Sequence, residues 1–102
     1  MDINELTGVM HEFVKSQGWY APESQRPQTL RNLAISLSLE AAEVLELFQW
    51  KDETNPDQSA LGEELADVAL YMLQIASIAQ IDLERAILDK LQQNYQRTWD
   101  QS

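Results

Sequence analysis

Four acidic residues of this chain fall into two matching pairs. Glu40 and Glu43 are three residues apart, and Glu64 and Asp67 repeat that spacing after an interval of about twenty residues. Residues three apart on a helix share a face, so each pair would present two carboxylates on one side. Four facing carboxylates repel one another unless some are protonated or a cation lies between them. The pattern therefore predicts a cation site shared by two helices.

The residues around these pairs favour Mg²⁺ or Mn²⁺ as the cation. Between Arg31 and Lys51, and again between Lys51 and Arg85, no Lys or Arg is present to neutralise the carboxylates. The chain has no Cys, and its single His, His11, lies in another segment, so the ligands would all be oxygen atoms. Carboxylate-held Mg²⁺ keeps positions for water and substrate phosphates, which indicates phosphoryl or nucleotidyl transfer, most simply hydrolysis. A solvated acidic helix face is the alternative interpretation.

The composition argues against several other classes of protein. The 102 residues include 17 Asp and Glu against 7 Lys and Arg, a net charge of -10, which argues against a general nucleic-acid binder. The absence of Cys excludes disulfides, zinc–thiolate sites and thiol catalysis. No apolar run approaches the ~20 residues of a membrane span. The first residues lack the basic and apolar regions of a signal peptide, so we expect a cytoplasmic protein.

Apolar residues at helical spacing predict four helices that would position the acidic pairs. We expect these helices over Asp2 to Gln17, Thr29 to Trp50, Asn55-Pro56 to Gln80, and Asp82 to about Trp99. Asp2 with Glu5 is typical of a capping box, and Asn55-Pro56 and Asp82 are typical helix starts. Short connections favour antiparallel neighbours, so we predict one all-α domain over residues 1–102, an antiparallel four-helix bundle.

The third predicted helix indicates that the chain associates with copies of itself. The second half of this helix, Val68 to Leu73, is apolar on every side, which is typical of a helix that is buried all round. A chain of this length has few other elements to cover such a helix. We therefore expect oligomerisation through the third helix to complete the bundle.

The two acidic motifs, Glu40-Ala-Ala-Glu43 and Glu64-Leu-Ala-Asp67, together resemble the signature of the MazG-like all-α nucleoside triphosphate pyrophosphohydrolases. Further matches are similar to the dCTP pyrophosphatase branch of that superfamily. They are Leu47-Phe-Gln-Trp50-Lys51, Tyr71, the pair Lys90 and Asn94, and the segment from Gly18-Trp19 to Leu33. The resemblance covers about residues 5–97, and its four-carboxylate spacing together with the other matches makes it specific.

This resemblance implies hydrolysis between the α- and β-phosphates of a nucleoside triphosphate, with dCTP or a modified dCTP as the preferred substrate and nucleotide-pool sanitation as the role. It implies that Mg²⁺ is held by Glu40, Glu43, Glu64 and Asp67. It also implies that Glu46 holds or orients a water. The residues implied for substrate binding are Trp19 and Trp50 beside the base, and Tyr71, Lys90 and Asn94 at phosphates or sugar. Arg31 and Asn32 lie a little before the predicted metal helix and are further candidates to contact the substrate from the connector. The resemblance also implies a homodimer or homotetramer with sites built from more than one chain.

Two other functions are compatible with the sequence. The chain could be a relative within the superfamily that acts on phosphoribosyl-ATP or dUTP, although its two matching Trp residues favour a base-stacking enzyme. It could also be a non-enzymatic helical oligomerisation or adaptor module whose acidic stripe docks a basic partner. Single residues have structural alternatives as well: Trp19 could anchor a loop, Trp50 could close a helix end, and Tyr71 could be a core tyrosine.

Overall fold

The structure is a computed structural model that describes residues 1–50 and 57–98. Over these two ranges the chain forms four α-helices and no strand: α1 (Ile3–Ser16), α2 (Leu30–Glu46), α3 (Gln58–Ile78) and α4 (Leu83–Gln96). The predicted all-α class and the number of helices are confirmed. The predicted ends are within a few residues of the observed ones, the largest difference being at the end of α2, where the last turn before Trp50 is irregular.

Polar side chains cap the first turn of the helices. Asp2 accepts a hydrogen bond of 2.8 Å from the Glu5 amide, and Asp82 accepts one of 3.1 Å from the Arg85 amide, as predicted. At the start of α3 the cap is Asp57, which accepts from the amide of Ser59 at 3.0 Å. The predicted cap at Asn55-Pro56 lies outside the described residues.

The cap of α1 makes a first testable prediction. Asp2→Ala should lower the free energy of unfolding by about 1 kcal/mol, because the Glu5 amide loses its acceptor. Asp2→Asn should change it little, because the amide oxygen of asparagine caps a helix equally well. Urea unfolding followed by circular dichroism measures both variants, and equal losses in the two would contradict the capping role.

The third helix is the centre of the fold, with α1 and α2 packed against it. Leu33 near the start of α2 shares a cavity wall with Gln74 near the end of α3, whereas Glu43 near the end of α2 meets Glu64 near the start of α3. The two helices therefore run antiparallel. On the other side, Met10 and Val14 of α1 form a buried cluster with Leu73 of α3.

The fourth helix leaves this arrangement. The chain bends by 104° between α3 and α4, and α4 packs only lightly on the other described helices, with Leu83 at its start against the cluster of Met10, Val14 and Leu73. Its large apolar side chains are exposed: Ile87, Leu88, Leu91 and Tyr95. The Cα radius of gyration is 16.6 Å, against about 13 Å for a compact chain of 100 residues. The single chain is thus extended, with uncovered apolar surface.

The apolar second half of α3 is only partly covered within one chain. Leu73 is 7% exposed, whereas Leu70 and Met72 remain 39% and 41% exposed. The prediction of a helix buried on all sides is therefore not met by this chain alone. Among the described helices, none is long and apolar enough by itself to cross a membrane, and α3 and α4 reach that length and composition only as a pair joined across their bend.

Candidate functional site

Three carboxyl groups converge where α2 and α3 face each other. Glu40 and Glu43 lie one turn apart on α2, and Glu64 projects from α3. One oxygen of each carboxyl group lies within 4.8 Å of the corresponding oxygens of the other two. All three side chains are half-buried. The antiparallel packing of two helices with carboxylates at matching spacing thus produces a compact acidic cluster.

Crowding changes the ionisation of two of these groups. A hydrogen bond with Glu43, then burial and the charges of the surrounding carboxylates, raises the pKa of Glu64 to about 7. Burial, and next the neighbouring Glu43 and Asp67, raises the pKa of Glu40 above its ordinary value. Each cause disfavours the ionised form, so in the absence of a cation the cluster retains a proton near neutral pH.

The cluster has the free ligand atoms that a cation needs. Glu40 Oε2 and Glu64 Oε2 are buried, and no N–H or hydroxyl group of the described residues donates to either of them. Asp67, one turn after Glu64, is close enough for its charge to raise the pKa of both Glu40 and Glu64. The donor set is entirely carboxylate oxygen, which fits a hard divalent cation such as Mg²⁺.

A cavity of about 580 Å³ adjoins the acidic cluster, and Asp67 is part of its wall. It lies between α1, the connector of residues 17–29, α2 and α3. Its apolar wall includes Leu6, Val9, Met10, Phe13, Val14, Leu33 and Leu70, and its polar wall includes Gln25, Arg26, Gln28, Asn32, Ser36, Tyr71 and Gln74. A mainly apolar cavity with a few converging polar groups is typical of a small-molecule site.

Trp19 forms one aromatic side of the cavity. Its ring is half-buried and packs edge-on against Phe13, with 5.8 Å between the ring centroids. The guanidinium carbon of Arg26 lies 5.6 Å from the centre of the same ring, within the range of a cation–π contact. Trp19 therefore anchors the connector and also presents an aromatic surface to the cavity.

Two further sequence-predicted residues share one stripe of α3. Asp67 and Tyr71 are four residues apart, so they lie on the same helix face, and both line the cavity. Asn32, near the start of α2, also lines the cavity. Its Nδ2 donates a hydrogen bond of 2.9 Å to the carbonyl of Pro27, which ties α2 to the connector.

The remaining predicted site residues do not line the cavity within one chain. Trp50 follows α2 and is 92% exposed with a positive φ of 68°, and Arg31 and Lys90 are exposed. Asn94 is half-buried on α4. Glu46 is the exposed last residue of α2, one turn beyond Glu43, and it lies outside the cluster of three.

Sequence reasoning missed several polar residues of the cavity, chiefly Gln28, Arg26 and Gln74. Gln74 carried the clearest signal, because it is a polar residue that follows directly on the apolar run Val68 to Leu73. His11 is half-buried and contacts Tyr20 and Ser77. These contacts join residues far apart in the chain, so no local pattern indicates them.

Comparisons with known proteins agree with this architecture. Residues 35–101 match the model of the MazG-like family. The chain is 36% identical to "dCTP pyrophosphatase 1" of Mus musculus and 35% identical to "dCTP pyrophosphatase 1" of Homo sapiens, in each case over 103 aligned residues. These alignments cover 93% of this chain and 58% of each relative, so the chain spans little more than half the length of these curated relatives.

A solved structure extends the similarity to three dimensions. The crystal structure of a pyrophosphatase from Archaeoglobus fulgidus superimposes with a TM-score of 0.79 at 32% identity, covering 95% of this chain and 92% of that one. The family match includes both acidic pairs, since residues 35–101 contain α2 from Ile35 onward and all of α3. The chain belongs to the MazG-like family.

Proposed function

We propose that the chain is a Mg²⁺-dependent nucleoside triphosphate pyrophosphohydrolase that releases a nucleoside monophosphate and pyrophosphate. The observation that carries this proposal is the convergence of Glu40, Glu43 and Glu64 beside a cavity of about 580 Å³ with an aromatic wall. A polyphosphate needs a cation to offset its charge, and a nucleobase needs an aromatic or apolar surface. The two halves of the site supply these requirements side by side.

Mg²⁺ is the cation that fits the cluster best, with Mn²⁺ as the second choice. Glu40, Glu43, Glu64 and Asp67 would hold it, because the first three converge and the fourth stands between them and the cavity. When bound, the cation supplies positive charge for the phosphates and lowers the pKa of a bound water. The protein contributes preorganisation: two packed helices hold the four carboxylates in position before the cation and the substrate bind. Glu46, one turn further along α2, would hold or orient a water.

The cavity would hold the nucleoside. Trp19 offers its ring for stacking, which contributes about 1–3 kcal/mol per base. Tyr71 lines the cavity on the same stripe of α3 as Asp67, and its hydroxyl would contact sugar or phosphate. Arg26 is the cationic residue among the described residues that line the cavity, so it is a further candidate for a phosphate contact.

Deoxycytidine triphosphate, or a modified form of it, is the substrate that we propose. The support is the similarity to relatives named "dCTP pyrophosphatase 1", which match at 34–36% identity. Phosphoribosyl-ATP and dUTP are the alternatives within the family. The proposed role is sanitation of the nucleotide pool in the cytoplasm.

A homodimer or homotetramer is proposed as the working form. The apolar side chains exposed on α4 and the exposed part of α3 are surface that a second copy would cover. Trp50, Lys90, Asn94 and Arg31 lie outside the cavity of their own chain, and in this proposal they contribute to the site of a neighbouring copy. The adaptor alternative would use the same surfaces without needing the acidic cluster.

A nucleotide panel tests the proposal. The protein is incubated with Mg²⁺ and each of dCTP, 5-methyl-dCTP, dUTP, dTTP, dATP, dGTP and phosphoribosyl-ATP, and the products are separated by ion-exchange chromatography. We expect monophosphate and pyrophosphate in equal amounts, fastest with the cytosine nucleotides. Release of orthophosphate alone, or no product from any nucleotide, would contradict the proposal.

A further inference from the structure

A chain of polar side chains holds Gln74 at the wall of the cavity. Gln74 is 3% exposed, although its neighbours along α3 are mostly apolar. Its Nε2 donates to the hydroxyl oxygen of Tyr20 at 3.2 Å and to Oε1 of Gln28 at 2.8 Å. Both partners belong to the connector between α1 and α2. A buried amide held from two sides has a defined orientation, so the group that it turns to the cavity is defined as well.

The direction of the Gln74 amide follows from that of Gln28. Gln28 Nε2 donates a hydrogen bond of 2.7 Å to the carbonyl of Arg26, so the atom that Gln28 turns to Gln74 must be its oxygen. Because Gln28 Oε1 can only accept, the group of Gln74 that faces the connector must be its NH₂ group. Both N–H bonds of Gln74 are then used, and its carbonyl Oε1 is left for a ligand in the cavity.

Tyr20 is held in turn by helices α1 and α3. Burial raises the pKa of the Tyr20 hydroxyl, whose oxygen shares a hydrogen bond of 2.5 Å with His11 Nδ1. His11 Nε2 shares a further hydrogen bond of 2.7 Å with Ser77 Oγ, and the tautomer of the ring sets the direction of both bonds. The contact with Gln28 therefore fixes the Gln74 amide, because its reversal would place two amide oxygens 2.8 Å apart without a donor.

The position of Gln74 relative to the acidic cluster suits the far end of a nucleoside. Asp67, Tyr71 and Gln74 occupy one stripe of α3 and all line the cavity. Seven residues of helix separate Asp67 from Gln74, which is a rise of about 10 Å. That length is comparable to the distance from the 5′ phosphate of a nucleotide to the hydrogen-bonding edge of its base.

We propose that Gln74 is a specificity-determining residue whose Oε1 accepts a hydrogen bond from the exocyclic amino group of the substrate base, as in cytosine. A base with a carbonyl group at that position, such as uracil, would bring two acceptors together and leave both unpaired. This inference rests on the proposed nucleotide hydrolysis and goes beyond it by stating which atom of the protein selects the base. Gln28 and Tyr20 are positioning residues that act through Gln74.

The test compares dCTP with dUTP, which differ on this edge of the ring. The kcat/KM ratio of dCTP to dUTP is measured for the wild type, for Gln74→Leu and for the control Gln58→Leu, an exposed glutamine of the same helix outside the cavity. We expect the ratio to fall about 10-fold in Gln74→Leu, the effect of one hydrogen bond, mainly through a loss with dCTP. The ratio should be unchanged in Gln58→Leu. An unchanged ratio in Gln74→Leu, or no preference in the wild type, would overturn the inference.

A second variant and a binding measurement separate this inference from the proposed reaction. Tyr20→Phe removes one partner of the Gln74 amide while leaving Gln74 in place, so the ratio should fall by a smaller factor with kcat for dCTP retained. Calorimetric titration with dCMP and dUMP requires no turnover. If the protein hydrolyses no nucleotide but prefers dCMP, and Gln74→Leu removes that preference, the proposed reaction fails and the base selection stands. Equal binding of dCMP and dUMP by the wild type would overturn the base selection itself.

Discussion

Glu43→Ala should reduce Mg²⁺-dependent release of pyrophosphate by at least about 100-fold, since loss of a ligand should exceed the 10–100-fold effects of groups that only orient ligands. Glu43 is the carboxylate that ties the cluster together, because it contacts Glu64 across the helix interface and stands one turn from Glu40. Without the Glu43 carboxylate, only two of the three converging ligand groups remain. The measurement is pyrophosphate release at saturating dCTP over a range of Mg²⁺ concentrations.

Glu63→Ala is the matched control for this substitution. Glu63 is adjacent to Glu64 on α3 but is exposed and lies outside the cluster of three. The substitution Glu63→Ala removes the same charge from the protein as Glu43→Ala, so a general electrostatic effect would appear in both variants. Circular dichroism should show an intact helical fold for each. Full activity in a folded Glu43→Ala variant would remove Glu43 from the proposed site.

The second large effect is a dependence of stability on pH and metal. In the metal-free protein the pKa of Glu64 is raised from 4.5 to about 7, so the folded state binds a proton more strongly than the unfolded state does. Stability is therefore greatest below pH 4.5 as far as this group is concerned, and it is lost as the pH rises through about 7. Thermal melts from pH 5 to pH 8 in the presence of EDTA should show the melting temperature falling across this range.

Addition of Mg²⁺ should reverse that loss. At a concentration 100-fold above its dissociation constant, a ligand that binds only the folded state adds about 2.7 kcal/mol of stability. The gain should be large at pH 8, where Glu64 is ionised, and small at pH 5, where a proton competes with the cation. Glu64→Gln has no such proton to lose. It should therefore melt at a temperature that varies less with pH and responds weakly to Mg²⁺, and a wild-type melt indifferent to Mg²⁺ would favour the adaptor alternative.

The parts of the fold that sequence reasoning predicted are those governed by local rules. Asp2 and Asp82 cap α1 and α4 because a short acidic side chain can reach the amides of the first turn, and this preference is visible in a few residues of sequence. The acidic pairs were recognisable for the same reason, since a spacing of three residues already states that two carboxylates share a helix face.

The parts that were missed depend on contacts between distant segments. The contact of His11 with Ser77 spans 66 residues, and that of Gln74 with Gln28 spans 46, so neither leaves a periodic pattern in the sequence. The direction of α4 was missed because a short connection favours an antiparallel return, whereas the chain bends there by 104°. A single chain also leaves Leu70 and Met72 exposed, and the sequence alone does not show which surface covers them.

The acidic cluster and one side of the cavity wall are carried by different parts of the chain. The carboxylates project from two long helices packed against each other, whereas Trp19, Arg26 and Gln28 belong to a connector that is joined to the helices by a few polar contacts. Substitution within the connector can therefore reshape what enters the cavity while the cluster keeps its geometry. In evolutionary terms, the range of substrates that such a protein admits can change through its connector without rebuilding the chemistry that acts on the phosphates.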